Sequence, residues 1–173
     1  MSNVEVVLVS GMSGAGKSTA MAVFENMGYY CIDNYPVALL EEFGDYLFNE
    51  TLGSKIAMGI SLGDALQAIR ELSNMDWIKL TIVFLDCDNS EILKRYKQTR
   101  RSHPMMIMNK ANTLYDSIEL ERHEFEQIKT QADLVIDTTL LKRTALQDRL
   151  EASFYPETGE TFRVSFVSFG YKF

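Results

Sequence analysis

The sequence predicts a parallel α/β sandwich, and three observations predict it. Five short apolar runs recur along the chain, amphipathic helical stretches separate them, and a glycine-rich loop joins the first run to the first helix. Strands that alternate with helices in this way form parallel sheets covered on both faces. Ligands in such sheets sit beyond the carboxyl ends of the strands. Asp33, Ser61, Asp86 and the pair Asp137-Thr138, which close or follow strands, are therefore site candidates by position alone.

The first strand is Val4-Glu5-Val6-Val7-Leu8-Val9, mostly apolar and rich in valine. Gly11-Met12-Ser13-Gly14-Ala15-Gly16-Lys17-Ser18 follows and fits G-x-x-x-x-G-K-[ST] at all four fixed positions. Ala20, Val23, Phe24 and Met27 then fall at i, i+3, i+4 and i+7, one face of a helix. That strand–loop–helix context is what a phosphate-cradling loop requires. Gly11, Gly14 and Gly16 let the backbone curl so that successive N–H groups point at one anion. The positive end of the following helix adds to that field. Lys17 is expected to reach the β- and γ-phosphates, and the Ser18 hydroxyl to ligate Mg²⁺. The binding segment is read as Gly11 to Thr19, with Lys17 also catalytic, and its ligand as a nucleoside triphosphate, ATP or GTP.

Tyr29–Asp33 is the second apolar run, after which Asn34 and Pro36 announce a helix whose inner face is Val37, Leu40, Phe43 and Leu47. Lys55–Ile60 reads as the third strand. A helix from about Gly63 follows, with Leu62, Ala65, Leu66, Ile69 and Leu72 in register. Thr81–Leu85 is the fourth strand, followed by a helix carrying Ile92, Leu93 and Tyr96. Ser102 to Asn112 reads as an irregular connection. Leu114, Ile118, Phe125 and Ile128 mark a long helix to about Lys129. Leu134-Val135-Ile136 is the fifth strand, and the last helix covers roughly Arg143–Ala152. Residues 1–154 are thus read as one phosphate-loop domain. Tyr155–Glu160 is linker-like, and Phe162–Phe169 reads as a strand, so 155–173 is expected to be a linker and the first strand of a second domain. That strand is expected to lie outside the sheet's parallel core, as an added edge, paired with another copy in a homo-oligomer, or mobile.

Composition bounds the class. The 173 residues suit one core, and 46% hydrophobic and 24% charged content is ordinary for a globular protein. No apolar run approaches the ~20 residues of a membrane helix. Cys31 and Cys87 are too few for a disulfide framework or a metal site and read as small buried thiols in a reducing cytoplasm. The net charge of −7 argues against a general nucleic-acid surface. The exception is Glu91 to Arg101, where Lys94, Arg95, Lys97, Arg100 and Arg101 face one anion.

Six stretches, in order and spread over nearly the whole chain, carry a family resemblance. They are GMSGAGKS at 11–18, Cys31-Ile32-Asp33-Asn34-Tyr35-Pro36, Phe84-Leu85-Asp86-Cys87 with Leu93-Lys94-Arg95-Tyr96, Thr99-Arg100-Arg101-Ser102-His103-Pro104, Ala132 to Thr138, and Ser168-Phe169-Gly170-Tyr171-Lys172. Together they resemble the RapZ/YvcJ family of bacterial nucleotide-binding proteins. The resemblance implies ATP and GTP binding with weak hydrolysis. It also implies a C-terminal domain opening at SFGYK, through which some relatives engage RNA or a ribonuclease or sense an amino-sugar phosphate. In one place this chain departs from the pattern. After the third strand the family carries D-x-R-[SN], associated with a second nucleotide site, where Ser61-Leu62-Gly63-Asp64 stand here. Both the acid and the arginine of that motif are missing.

If the strand order resembles nucleoside monophosphate kinases, 2-3-1-4-5 in three layers, Ser61 lies where a magnesium-supporting acid would sit. Asp64 either reaches in or is a favourable anion at a helix start. Asp33 is the better remaining acid for the metal's water shell, and Asp86 the weaker one. Lys94 and Lys97 read as a solvated face. Arg95, Arg100 and Arg101 resemble the arginines of a kinase lid, which close over phosphates, with RNA contact as the other reading. His103 is a base candidate with no orienting partner nearby in sequence. Asp137-Thr138-Thr139 either approaches the nucleobase or caps a helix. The chain is then a slowly hydrolysing regulatory domain, a small-molecule kinase, or a nucleotide switch.

Overall fold

The computed structural model describes residues 4–49, 55–60 and 62–154. Ser61 and the expected strand Phe162–Phe169 lie outside the described residues, as do the side chains of Leu47 and Leu62.

Five strands, β1 (Val4–Gly11), β2 (Tyr30–Asp33), β3 (Lys55–Gly59), β4 (Ile78–Asp86) and β5 (Leu134–Asp137), form one parallel sheet in the order β2-β3-β1-β4-β5. The order is the expected one. Central β1 has Val9 paired with Gly59 on one side and Val83 on the other. Val6 to Val9 are buried, which is why this strand is continuously apolar rather than alternating.

The helices are α1 (Lys17–Asn26), α2 (Leu40–Asn49), α3 (Ala65–Ser73), α4 (Asn89–Thr99), α5 (Pro104–Ile107), α6 (Leu114–Gln131) and α7 (Arg143–Phe154). The step from β1 to β2 runs one way along the sheet and the later steps run the other. Right-handed crossovers therefore put α1 on one face and α2, α3 and α6 on the opposite face. The packing agrees, since α1 lies against α7, α2 against α3, and α4 against α6. Phe24 of α1 meets Tyr29 and Phe154 edge-on, at ring separations of 5.2 and 5.0 Å.

Two elements differ from expectation. The stretch Ser102–Asn112 contains α5, because Pro104 suits a first turn and the His103 ring accepts a hydrogen bond from the Met105 N–H. β4 is also longer than its apolar centre, starting at Ile78. Cys87 is buried as read, whereas Cys31 is only half-buried. No helix among the described residues is long and apolar enough to cross a membrane.

The strands end together, so Gly11, Asp33, Gly59, Asp86 and Asp137 share one edge of the sheet.

Candidate functional site

The loop leaves β1 at the middle of that edge, and three distant elements hold it. From α6, Glu121 accepts hydrogen bonds from the Ser13 N–H (2.7 Å) and the Ser13 hydroxyl (2.6 Å). From α4, Arg95 donates to the Gly14 carbonyl (2.8 Å) and to that of Thr138 (2.9 Å). Beyond β5, the Thr138 hydroxyl donates to the Ala15 carbonyl at 2.7 Å. Within a trans peptide the C=O and N–H point opposite ways. Tying the Ala15 carbonyl to Thr138 therefore turns the Gly16 N–H to the other side. Gly16, at φ 106°, caps α1 in a left-handed conformation that a side chain would strain. The first turn of α1, Lys17 to Thr19, adds N–H groups with no acceptor inside the helix.

Lys17 donates from Nζ to the Gly11 carbonyl at 3.0 Å. Burial pushes its ammonium down from the usual lysine range, while the nearby Glu121 and Asp33 carboxylates push it back up. Asp33 therefore faces the same space as Lys17, and Ser18 stands exposed on the first turn. Gly59 explains how Asp33 fits there: a Cβ on Gly59 would lie 2.5 Å from its Oδ1. A hydroxyl and a nearby carboxylate are hard oxygen donors of the kind Mg²⁺ takes alongside phosphates and water.

Asp86 is otherwise engaged. Its two oxygens accept from Arg122 (2.9 Å) and Lys129 (2.8 Å) of α6, so it ties β4 to that helix. Burial raises its pKa, but those hydrogen bonds outweigh that and hold the carboxyl below its ordinary range. His103 is fully buried and not poised as a base. Its Nδ1 accepts from Met105, so the ring proton sits on Nε2, which faces Glu121 at 3.6 Å. Thr138 and Thr139 do not cap α7, which begins four residues later at Arg143. Thr138 braces the loop, and Thr139 hydrogen-bonds Asp137. Asp133 accepts from the Ile82 N–H at 2.7 Å and so sets β5 against β4.

Arg95 braces the loop from a fixed helix, unlike the lid residue it resembles in sequence. Arg100 and Arg101 lie exposed beyond the end of α4, Arg100 as its left-handed C-cap at φ 52°. Met12 and Ala15 are buried beneath the loop, and Thr19 lines a cleft of about 300 Å³ beside it. That cleft also has Gly14, Gly16, Arg95, Thr138 and Lys142 in its walls. Leu62, Gly63 and Asp64 form a 3-10 turn into α3, with Asp64 at the N-cap position but making no side-chain cap. Gly63 lines a separate groove of about 420 Å³ with His123, Glu124 and Gln127, away from the loop cleft.

Residues 4–158 match the model of the RapZ-like N-terminal domain. The chain belongs to the RapZ-like family. Relatives called nucleotide-binding proteins share 36% identity in Lactiplantibacillus plantarum and 40% in Shouchella clausii, each over 99% of this chain. The chain spans 59% and 60% of those proteins' lengths. Among solved structures, it is similar to a shikimate kinase from Bacteroides thetaiotaomicron, with TM-score 0.56 and 17% identity over 86% of this chain and 95% of that one. A gluconokinase from Sinorhizobium meliloti matches with TM-score 0.56 and 14% identity, over 88% of this chain and 92% of that one. The RapZ-like domain therefore has the fold of phosphate-loop kinases.

Proposed function

We propose that this chain binds a nucleoside triphosphate with Mg²⁺ along Gly11–Thr19 and hydrolyses it slowly, as the nucleotide-binding part of a RapZ-like regulatory protein. The observation that carries the reading is the braced loop itself. Three long-range hydrogen-bonding side chains hold its shape, and Lys17 lies half-buried at its foot. In this reading the base and ribose take the cleft beside Arg95, Thr138 and Lys142, and the β- and γ-phosphates meet the N–H groups and Lys17. Ser18 would hold the metal directly and Asp33 through its water shell, with the metal neutralising charge between the phosphates. Arg100 and Arg101 supply positive charge at the γ-phosphoryl from the end of α4. Residues 155–173 are read as the link to a further domain, where any RNA or protein partner would bind.

A small-molecule kinase is the second reading, favoured by the cations after Glu91. Calorimetric titration with ATP, GTP and their diphosphates in Mg²⁺, followed by phosphate-release assays, separates both from a non-hydrolysing switch. Micromolar binding with slow release of phosphate supports the proposal. A phosphate acceptor that sharply increases diphosphate formation favours the kinase, and tight binding without turnover favours a switch. Absence of binding rejects all three.

A further inference from the structure

We propose that Glu121 is the positioning residue of the phosphate loop, fixing its turn through Ser13, with His103 packed beside Glu121 from the start of α5. The role rests on the nucleotide reading above.

Glu121 is 1% exposed, and both its oxygens are occupied by one residue 108 positions away. It lies on the inner stripe of α6 among Ile118, Phe125 and Ile128, where an apolar side chain would pack without desolvating a charge. Burying a carboxylate there costs free energy unless its partners hold it well. Those partners are the N–H and O–H of Ser13, which fix both the peptide plane and the side chain at the start of the loop's turn. Such charge-assisted pairs are the strong class of hydrogen bond.

The pair is enclosed. His103 enters from the start of α5 with its Nε2 at 3.6 Å from Glu121, just beyond hydrogen-bond reach, and that buried nitrogen has no hydrogen-bond partner. Its ring lies 5.2 Å from that of Tyr96 on α4. Lys17 on α1 faces the same carboxylate, and Asp33 at the end of β2 faces Lys17. Glu121 thus links the loop to the stretch that follows the basic segment. Since its oxygens point at Ser13, it acts on the nucleotide through the loop and not by contact.

The test is a double-mutant cycle on the full chain, read by titration with Mg·ATP and Mg·GTP and by thermal melting. Glu121→Ala should weaken binding roughly ten-fold or more. Glu121→Gln, which keeps an acceptor for the Ser13 N–H, should recover most of that loss. Ser13→Ala should lose several-fold, and the double variant Ser13→Ala/Glu121→Ala should bind no worse than Glu121→Ala alone. Wild-type affinity in Glu121→Ala, or losses that multiply in the double variant, overturns the proposal. Should Glu121→Ala not fold, Ser13→Ala decides, and unchanged affinity there overturns it equally. A wild-type chain that binds neither nucleotide overturns the nucleotide reading, and this role with it.

Discussion

Gly59 and Asp33 show how closely the site is set at the residue scale. A methyl on Gly59 would meet the tip of the Asp33 side chain, which can swing aside, so Gly59→Ala should leave the fold intact but displace the carboxylate. Nucleotide affinity in that variant is expected to fall in Mg²⁺ and to match wild type in EDTA, and equal loss in both would remove Asp33 from the metal shell. Position 100 offers a second test. Arg100 sits at φ 52°, where glycine is at ease, so Arg100→Gly with Arg101→Ala removes both charges without straining the cap. Phosphate release should slow more than binding weakens, and unchanged release would reject the lid role. The placement of Lys17, Ser18 and Asp33 at the carboxyl ends of the strands was legible in the sequence, because the motif and the strand ends are local features. Arg95 and Thr138 were legible as candidates but not as braces of the loop, because their contacts with it span 81 and 123 residues. Glu121 left a trace, being an acid on the same stripe as Ile118, Phe125 and Ile128. A charge on an inner stripe demands a partner.

At the scale of elements, α6 carries the second half of the domain. Its outer residues Arg122 and Lys129 clamp Asp86 at the end of β4, and its inner residue Glu121 clamps the loop after β1. Burial raises both carboxyls, yet their hydrogen bonds win and hold each below its ordinary value of 3.8 for Asp86 and 4.5 for Glu121. A depressed carboxylate contributes stability that is whole above its unfolded value and is lost as pH falls through its folded one. Stability should therefore be level from neutrality to about pH 5 and drop below about pH 4.5. Asp86→Asn should cost about 1–2 kcal/mol at pH 7, reduced from a fully buried charge pair because Arg122 and Lys129 are partly solvated. That cost should shrink as pH falls below 4, and denaturant melts across pH would reveal a constant cost if the clamp were not ionic. The strand and helix pattern was readable because period and composition are local properties. α5 was not, since its cap comes from a histidine side chain, a weak signal beside proline and a run of methionines.

For the whole molecule, the open question is rate. In the proposed reading a braced loop with Lys17 and Ser18 accounts for binding, but the strand beside β1 is followed by Ser61 where an acid would strengthen the hold on a metal. Turnover by this chain should then lie well below the ~1–100 s⁻¹ of kinases, and Ser61→Asp should raise it. Release at kinase rates from the wild-type chain would mean that Asp33 already supplies that acid. The sheet order followed from the loop, the alternation of elements and the lid-like arginines, and the fold is similar to that of solved kinases. Fold alone does not give activity, so the central claim rests on the loop as a phosphate cradle. Titration of Mg·ATP and Mg·GTP into wild type and Lys17→Ala, with melting curves on both, tests it most directly. The account predicts saturable binding by wild type, weakened roughly ten- to a hundred-fold in a Lys17→Ala variant that still folds. Equal affinity in the two proteins would contradict it.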